Sequence, residues 1–141
     1  SDRNMASGYS WSSEPSSTIY YAARERIATN QNPSLECSSN DIIKVPVGLI
    51  TADEAVFGGV PYDGNDTGNY LINGQNYWTM SPYNFYGGSN SWARVFCVRS
   101  VGDLGNYDVN GTRGVRPVIN LLADTRFTGD GTASNPYVIA T

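Results

Sequence analysis

Between Ser16 and Pro33 the chain reads SSTIYYAARERIATNQNP, and Ile19, Ala22, Ala23 and Ile27 recur at the spacing that lines one face of a helix. Ser16 or Ser17 is placed to cap that helix, and Asn30, Asn32 and Pro33 to end it. The period then changes. IIKVPVGLI (42–50) is a continuous apolar run of strand length, with Pro46 marking an edge or a bend. TADE (51–54) has the form of a capping box. The Thr51 hydroxyl can accept from the Glu54 amide, and the Glu54 carboxylate can reach back to the Thr51 amide. The short helix it opens is expected to stop at Gly58-Gly59.

The second half alternates rather than winds. NYLINGQNYWTM (69–80) carries apolar and aromatic residues on both sides of Asn73-Gly74, a type I′ turn dipeptide, and predicts a hairpin. WTMSP predicts a buried strand end that stops at Pro82. SWARVFCVRS (91–100) predicts a strand, VGDLGNYDV (101–109) a turn and short return strand, and NGTRG (110–114) a further turn. VRPVINL (115–121) predicts a strand, GDGTASNP (129–136) a turn-rich loop and YVIA (137–140) a last strand. Two early helices and many late strands predict an α+β fold with a mainly antiparallel sheet. The expected organisation is one domain, with a polar segment and helix at 1–40 packed on a ligand-binding region at 41–141.

Composition shifts this picture toward a surface-exposed recognition protein. Of 141 residues only 16% are charged, 40% are hydrophobic, and Tyr (10) and Gly (15) are abundant. A Tyr-rich, polar but weakly charged chain suits an extracellular β-rich protein, because Tyr supplies contact area at low entropic cost. The net charge of −4 and the single lysine, Lys44, leave no basic cluster, so nucleic acid is excluded as a partner. No apolar run approaches the length of a membrane span. The absence of histidine removes Ser-His-Asp and Cys-His chemistry, histidine metal sites and the usual general base near neutral pH. Cys37 and Cys97 stand too far apart for a CxxC motif. A disulfide between them and two buried free thiols are the alternatives.

Several smaller motifs have competing readings. DGNDTG (63–68) matches the start of a calcium loop through Asp63, Asn65, Thr67 and Gly68, but position twelve is Gly74 rather than Glu, so an ordinary surface loop fits as well. Arg116 sits in an apolar strand and is expected to meet carbonyls or a buried carboxylate, with Asp53 or Glu54 as candidates. Asp103 and Asp108 could form a glycosidase-like pair.

The densest constellation begins at YNFYGGSNSW (83–92), which is too rich in Gly and Asn to read as core. Tyr83, Asn84, Phe85, Tyr86, Ser89, Asn90, Trp92, Arg94, Arg99, Asp103, Asn106, Tyr107, Asp108, Asn110 and Arg113 are all aromatic, amide, hydroxyl or charged. Such a mixture marks a binding surface: aromatics give area, while Asn and Ser give adaptable hydrogen bonds. The expected anchors are Tyr83, Phe85, Tyr86, Trp92 and Tyr107, with Asn84, Asn90, Arg94, Asp103, Asp108 and Arg113 orienting the ligand.

VGLITADEAVFGG, NYWTMSP, ARVFCVRSVGDL, GVRPVINL and GDGTASNPYVI together resemble a group of bacterial surface and pilin-associated domains, over about residues 45–140. Those domains are similar to the C-type lectin fold and to formylglycine-generating-enzyme-like domains. Residues 83–113 also resemble the ligand face of variable proteins of diversity-generating retroelements, where adenine-directed mutagenesis leaves Asn, Tyr, Asp, Ser, Phe, Gly, Cys, Arg or Val. The Glu-Pro-Asn and Trp-Asn-Asp signatures of calcium-dependent sugar-binding lectins are absent, as is a recognisable formylglycine-generating cysteine pair. The resemblance therefore implies a C-type-lectin-like binding scaffold without cofactor or enzymatic activity, secreted or displayed on a cell surface or pilus. Its partner would be a protein or glycan on another surface. The alternatives are a structural subunit or tip domain of a pilus or phage fibre, and a glycan-processing enzyme using Asp103 and Asp108.

Overall fold

A computed structural model describes residues 17–36, 47–87, 92–132 and 134–140. Its centre is an antiparallel meander of β3 (Tyr77–Tyr86), β4 (Trp92–Arg99) and β5 (Asp103–Asp108), to which β1 (Ile19–Tyr20) adds on the free edge of β3. Two two-stranded pairs stand apart from it: β2 (Gly48–Leu49) with β6 (Pro117–Val118), and β7 (Phe127–Thr128) with β8 (Val138–Ile139). The described fold is thus mixed, mostly antiparallel sheet with two short helices. No helix among the described residues is long and apolar enough to cross a membrane.

The first helix differs from the sequence expectation. α1 (Ala22–Arg24) starts only after Tyr21, which offers no side-chain cap, and continues as a π-helical turn over Glu25–Thr29. Ser16 lies outside the described residues. Ile19 and Tyr20 pair instead with Phe85 and Asn84, and the Tyr21 amide donates to the Tyr83 carbonyl at 3.1 Å. Ile, Tyr and Tyr in succession are good strand formers, and the open edge of β3 satisfies their amides better than an uncapped first turn. Beyond Tyr21 the expected apolar face survives, with Ala23 and Ile27 buried. α2 (Ala52–Phe57) forms as expected, with the Glu54 amide on Thr51 Oγ1 at 3.1 Å and the Thr51 amide on Glu54 Oε2 at 2.8 Å.

Both helical elements contribute to a core built with Tyr77, Phe96, Val98 and Leu104 of the sheet, together with Val60 and Leu71. Ala23, Ala52 and Ala55 are completely buried, and their small side chains let the helical backbones come close to the large residues of the strands. β4 joins β5 through Gly102, whose φ is +96° and where a Cβ would lie 2.5 Å from the Asp66 carbonyl carbon. Only glycine fits both the conformation and the close approach.

Other expectations are corrected. In the run 42–50 only Gly48–Leu49 is a described strand, and 42–46 lie outside the described residues. Asn73-Gly74 does not close a hairpin. Gly74 has φ +77° and Asn73 Oδ1 accepts the Gln75 amide at 3.0 Å, but Leu71 turns inward, and its carbonyl takes the Tyr77 hydroxyl at 2.8 Å. β3 continues through Pro82 to Tyr86 by shifting register against β4 on either side of that proline. This fits the confinement of proline to irregular positions within sheets. VRPVINL contributes only Pro117–Val118 as strand, and YVIA only Val138–Ile139.

Candidate functional site

The irregularity at Pro82 decides which side chains share a face. Pro82 is opposite Val95 and Asn84 opposite Arg94, so β3 holds one extra residue there and both Tyr83 and Asn84 fall on the Arg94 side. Tyr83 packs edge-on against the core ring of Phe96, centroids 5.0 Å apart. Its hydroxyl stands 3.4 Å from that of Tyr62. Asn84 is completely buried, and neither its amide nitrogen nor its oxygen has a partner among the described residues. The strand register then lines up Tyr20, Asn84, Arg94 and Asp108 in one row across all four strands of the sheet. The segment expected as a loop, YNFY, is therefore strand, while Ser89 and Asn90 lie outside the described residues.

Around that row the charges are held in place. Arg94 donates through Nε to Asp108 Oδ1 at 2.8 Å and through Nη1 to Asn106 Oδ1 at 3.5 Å, with its guanidinium 5.6 Å from the Tyr86 ring. The Asp108 hydrogen bond outweighs partial burial and raises the Arg94 pKa. One rung further, Tyr86 and Trp92 face each other at 4.9 Å, and Trp92 is 42% exposed. At the other end Arg24 lies 4.1 Å over the Tyr20 ring. The sequence pattern did not single out Tyr20 and Arg24, because only the β1–β3 pairing brings them here.

The opposite face carries a second group. Trp78, Cys97 and Gly105 are cross-strand neighbours, as are Val95 and Tyr107, and Arg99 and Asp103. Arg99 forms a two-pronged pair with buried Asp103 and approaches exposed Asp63 at 3.8 Å. Its side chain lies against Gly105, where a Cβ would come within 2.4 Å of Arg99 Nε. Arg113 reaches in from the turn after β5, 3.9 Å over Tyr107 and 5.9 Å from Trp78. Beneath them Cys97 is a free, fully buried thiol whose pKa burial pushes up to about 11. The structure thus gives a thiol at Cys97 where a bond to Cys37 was one alternative, and Cys37 lies outside the described residues. A cleft of about 430 Å³ opens beside Arg113, lined by Gln75, Asn76, Thr112, Arg113 and Gly114.

The expected anchors therefore do not form one surface. Tyr86 and Trp92 lie with Arg94 and Asp108, whereas Tyr107, Arg99, Asp103 and Arg113 lie on the other face. The register also sets Phe85 opposite Ala93, away from Arg94, and Asn110 sits in the exposed turn after β5. Asn84 and Asp103 are buried, so neither side chain is presented to solvent. Asp103 and Asp108 face opposite ways, each neutralised by its own arginine, and do not make the carboxylate pair that glycoside hydrolysis needs. In the 63–68 loop Asp63 turns toward Arg99, and Asp66 Oδ1 accepts the Gly68 amide at 3.2 Å. Arg116 meets a carbonyl, that of Leu71, at 2.9 Å. The acids considered for it are used elsewhere, Asp53 by Arg26 and Glu54 by the capping box. Trp78 is half-buried beside Arg113 rather than in the core cluster.

Comparison of the chain with protein-family models, with curated proteins and with solved structures finds no match in any of the three.

Proposed function

We propose that this chain is a ligand-recognition domain of C-type-lectin-like architecture, secreted or displayed on a cell surface, that binds a protein or glycan. The observation that carries the reading is the Tyr86–Trp92 pair with the Arg94–Asp108 ion pair and Asn106 beside it, on the same face of the sheet as Tyr20. Aromatic, amide and ion-paired groups stand on a four-stranded frame, which holds them more rigidly than a loop would. Rigid aromatic area with oriented polar groups is what high-energy binding contacts require. Recognition is favoured over catalysis because the two acids proposed for hydrolysis are each occupied by an arginine. Exchange of exposed positions such as Asn110 would leave the core untouched, as diversification of a binding face by a retroelement would need. The test is binding of labelled protein to glycan arrays and to intact cells, with Tyr86→Ala and Trp92→Ala. Each truncation is expected to weaken binding by about 1–4 kcal/mol with an unchanged melting temperature. Intact binding with a lowered melting temperature would make the pair structural.

A second reading, a subunit of a pilus or phage fibre, is favoured by one observation. Val115, Ile119, Leu122, Phe127, Tyr137 and Ile139 are all exposed between residues 115 and 139, apolar side chains that a sister subunit could cover. Sedimentation across a concentration series separates the two: a discrete monomer supports recognition, and growing polymers support the subunit.

A further inference from the structure

We propose that the cleft beside Arg113 binds the carboxylate of an acidic monosaccharide, a uronic or sialic acid, with Arg113 as the cation that receives it. The site lies on the face opposite the Tyr86–Trp92 pair and stands or falls separately from the reading above.

The first argument is electrostatic. Arg24, Arg26, Arg94 and Arg99 each hold a carboxylate within 4.0 Å. Arg113 meets none among the described residues, and its hydrogen bond goes from Nη1 to the neighbouring Thr112 carbonyl at 2.6 Å. Its Nε is buried without a partner among the described residues. Stacking on Tyr107 at 3.9 Å, with Trp78 at 5.9 Å on the same face, fixes the plane of the guanidinium. An oriented, uncompensated guanidinium in a chain of net charge −4 suits one planar anion, since the fork of N–H groups matches a carboxylate. A phosphate-rich partner would need clustered positive charge, which is missing here.

The second argument is the lining. The cleft, about 430 Å³, is in the range of small-molecule sites, yet no apolar residue lines it. Asn76 Oδ1 accepts the Ser100 amide at 2.8 Å, which turns its NH2 group into an available donor. Gln75 adds an exposed amide and Thr112 a hydroxyl. Hydroxyl groups on a ligand find partners on such walls. The apolar side chains of a peptide terminus do not, so the carboxylate is assigned to a sugar.

The experiment is a titration of 15N-labelled protein, followed by NMR, with sodium glucuronate and N-acetylneuraminate. Glucose, methyl glucuronate and acetyl-dialanine serve as comparison ligands. Both sugar acids are expected to shift the amide signals of Gln75, Asn76, Thr112 and Gly114, and the two uncharged sugars are not. Arg113→Met should weaken binding by roughly tenfold or more, with Arg113→Lys between it and the wild type. Trp92→Ala should leave these shifts as they are. Should Arg113→Met not fold, Gln75→Leu provides the same comparison through the sugar hydroxyls. Equal shifts with methyl glucuronate, tighter binding of acetyl-dialanine, undiminished binding by Arg113→Met or Gln75→Leu, or no localised shift would each overturn the proposal.

Discussion

At the scale of the residue, Asn84 is the sharpest anomaly. A fully buried amide with neither end hydrogen-bonded among the described residues carries its whole desolvation cost, about 1–3 kcal/mol. It sits where β3 gains its extra residue, so the register shift that turns Tyr83 onto Phe96 also carries Asn84 inward. Asn84→Leu keeps the branched shape and removes the unpaired atoms. Chemical denaturation is expected to show the variant at least as stable as the wild type, by up to about 1–3 kcal/mol. A loss of stability of similar size would mean that the amide has partners after all. Gly105 is the opposite case, where the missing side chain lets the Arg99 guanidinium lie on the sheet and meet Asp103.

At the scale of the element, α2 depends on its first residue. Thr51 accepts from Glu54, Glu54 accepts from Thr51, and the next residue, Ala52, donates its amide to Ser81 Oγ of β3 at 3.0 Å. The cap thus fixes both the start of the helix and its seat on the sheet. Thr51→Ala should cost about 1 kcal/mol in urea unfolding with an unchanged slope, and Thr51→Ser should restore most of it. An unchanged midpoint for Thr51→Ala would show that docking alone fixes the helix.

This cap was legible in the sequence because it is local, four residues that satisfy one another. The β4–turn–β5 run was legible for the same reason. What was not legible depended on partners distant in the chain. Ile19 and Tyr20 fit a helical pattern until the edge of β3 is present to pair with them. The Asn73-Gly74 turn fails to make a hairpin because Leu71 is drawn into the core. The residue types of the candidate site were readable, but their division between two faces was not. One extra residue beside Pro82 resets the alternation that assigns each side chain to a side.

At the scale of the whole molecule, burial of weak acids gives folding a common pH dependence. Cys97 is pushed by burial from its ordinary 9.0 up to about 11, and burial also raises the pKa values of Tyr62 and Tyr77. For each group the folded chain holds the proton more tightly than the unfolded chain does. Their contribution is therefore complete below the unfolded pKa and is lost as pH rises through the folded one. For Cys97 the window runs from about 9 to about 11, with the tyrosines adding their losses above 10.0. The reduced protein should be stable near neutrality and lose roughly 1–3 kcal/mol across that window through Cys97 alone. Cys97→Ala should start lower near neutral pH, because it leaves a small cavity beneath Arg99 and Arg113, but its stability should fall less steeply between pH 9 and 11. The measurement is urea unfolding of both proteins at a series of alkaline pH values. Parallel curves would mean that the thiol ionises alike in both states, contrary to its burial between Trp78 and Gly105. The same burial predicts that a thiol reagent leaves Cys97 unmodified in the native protein at pH 8 and labels it once urea opens the sheet, with peptide mass spectrometry reading the site.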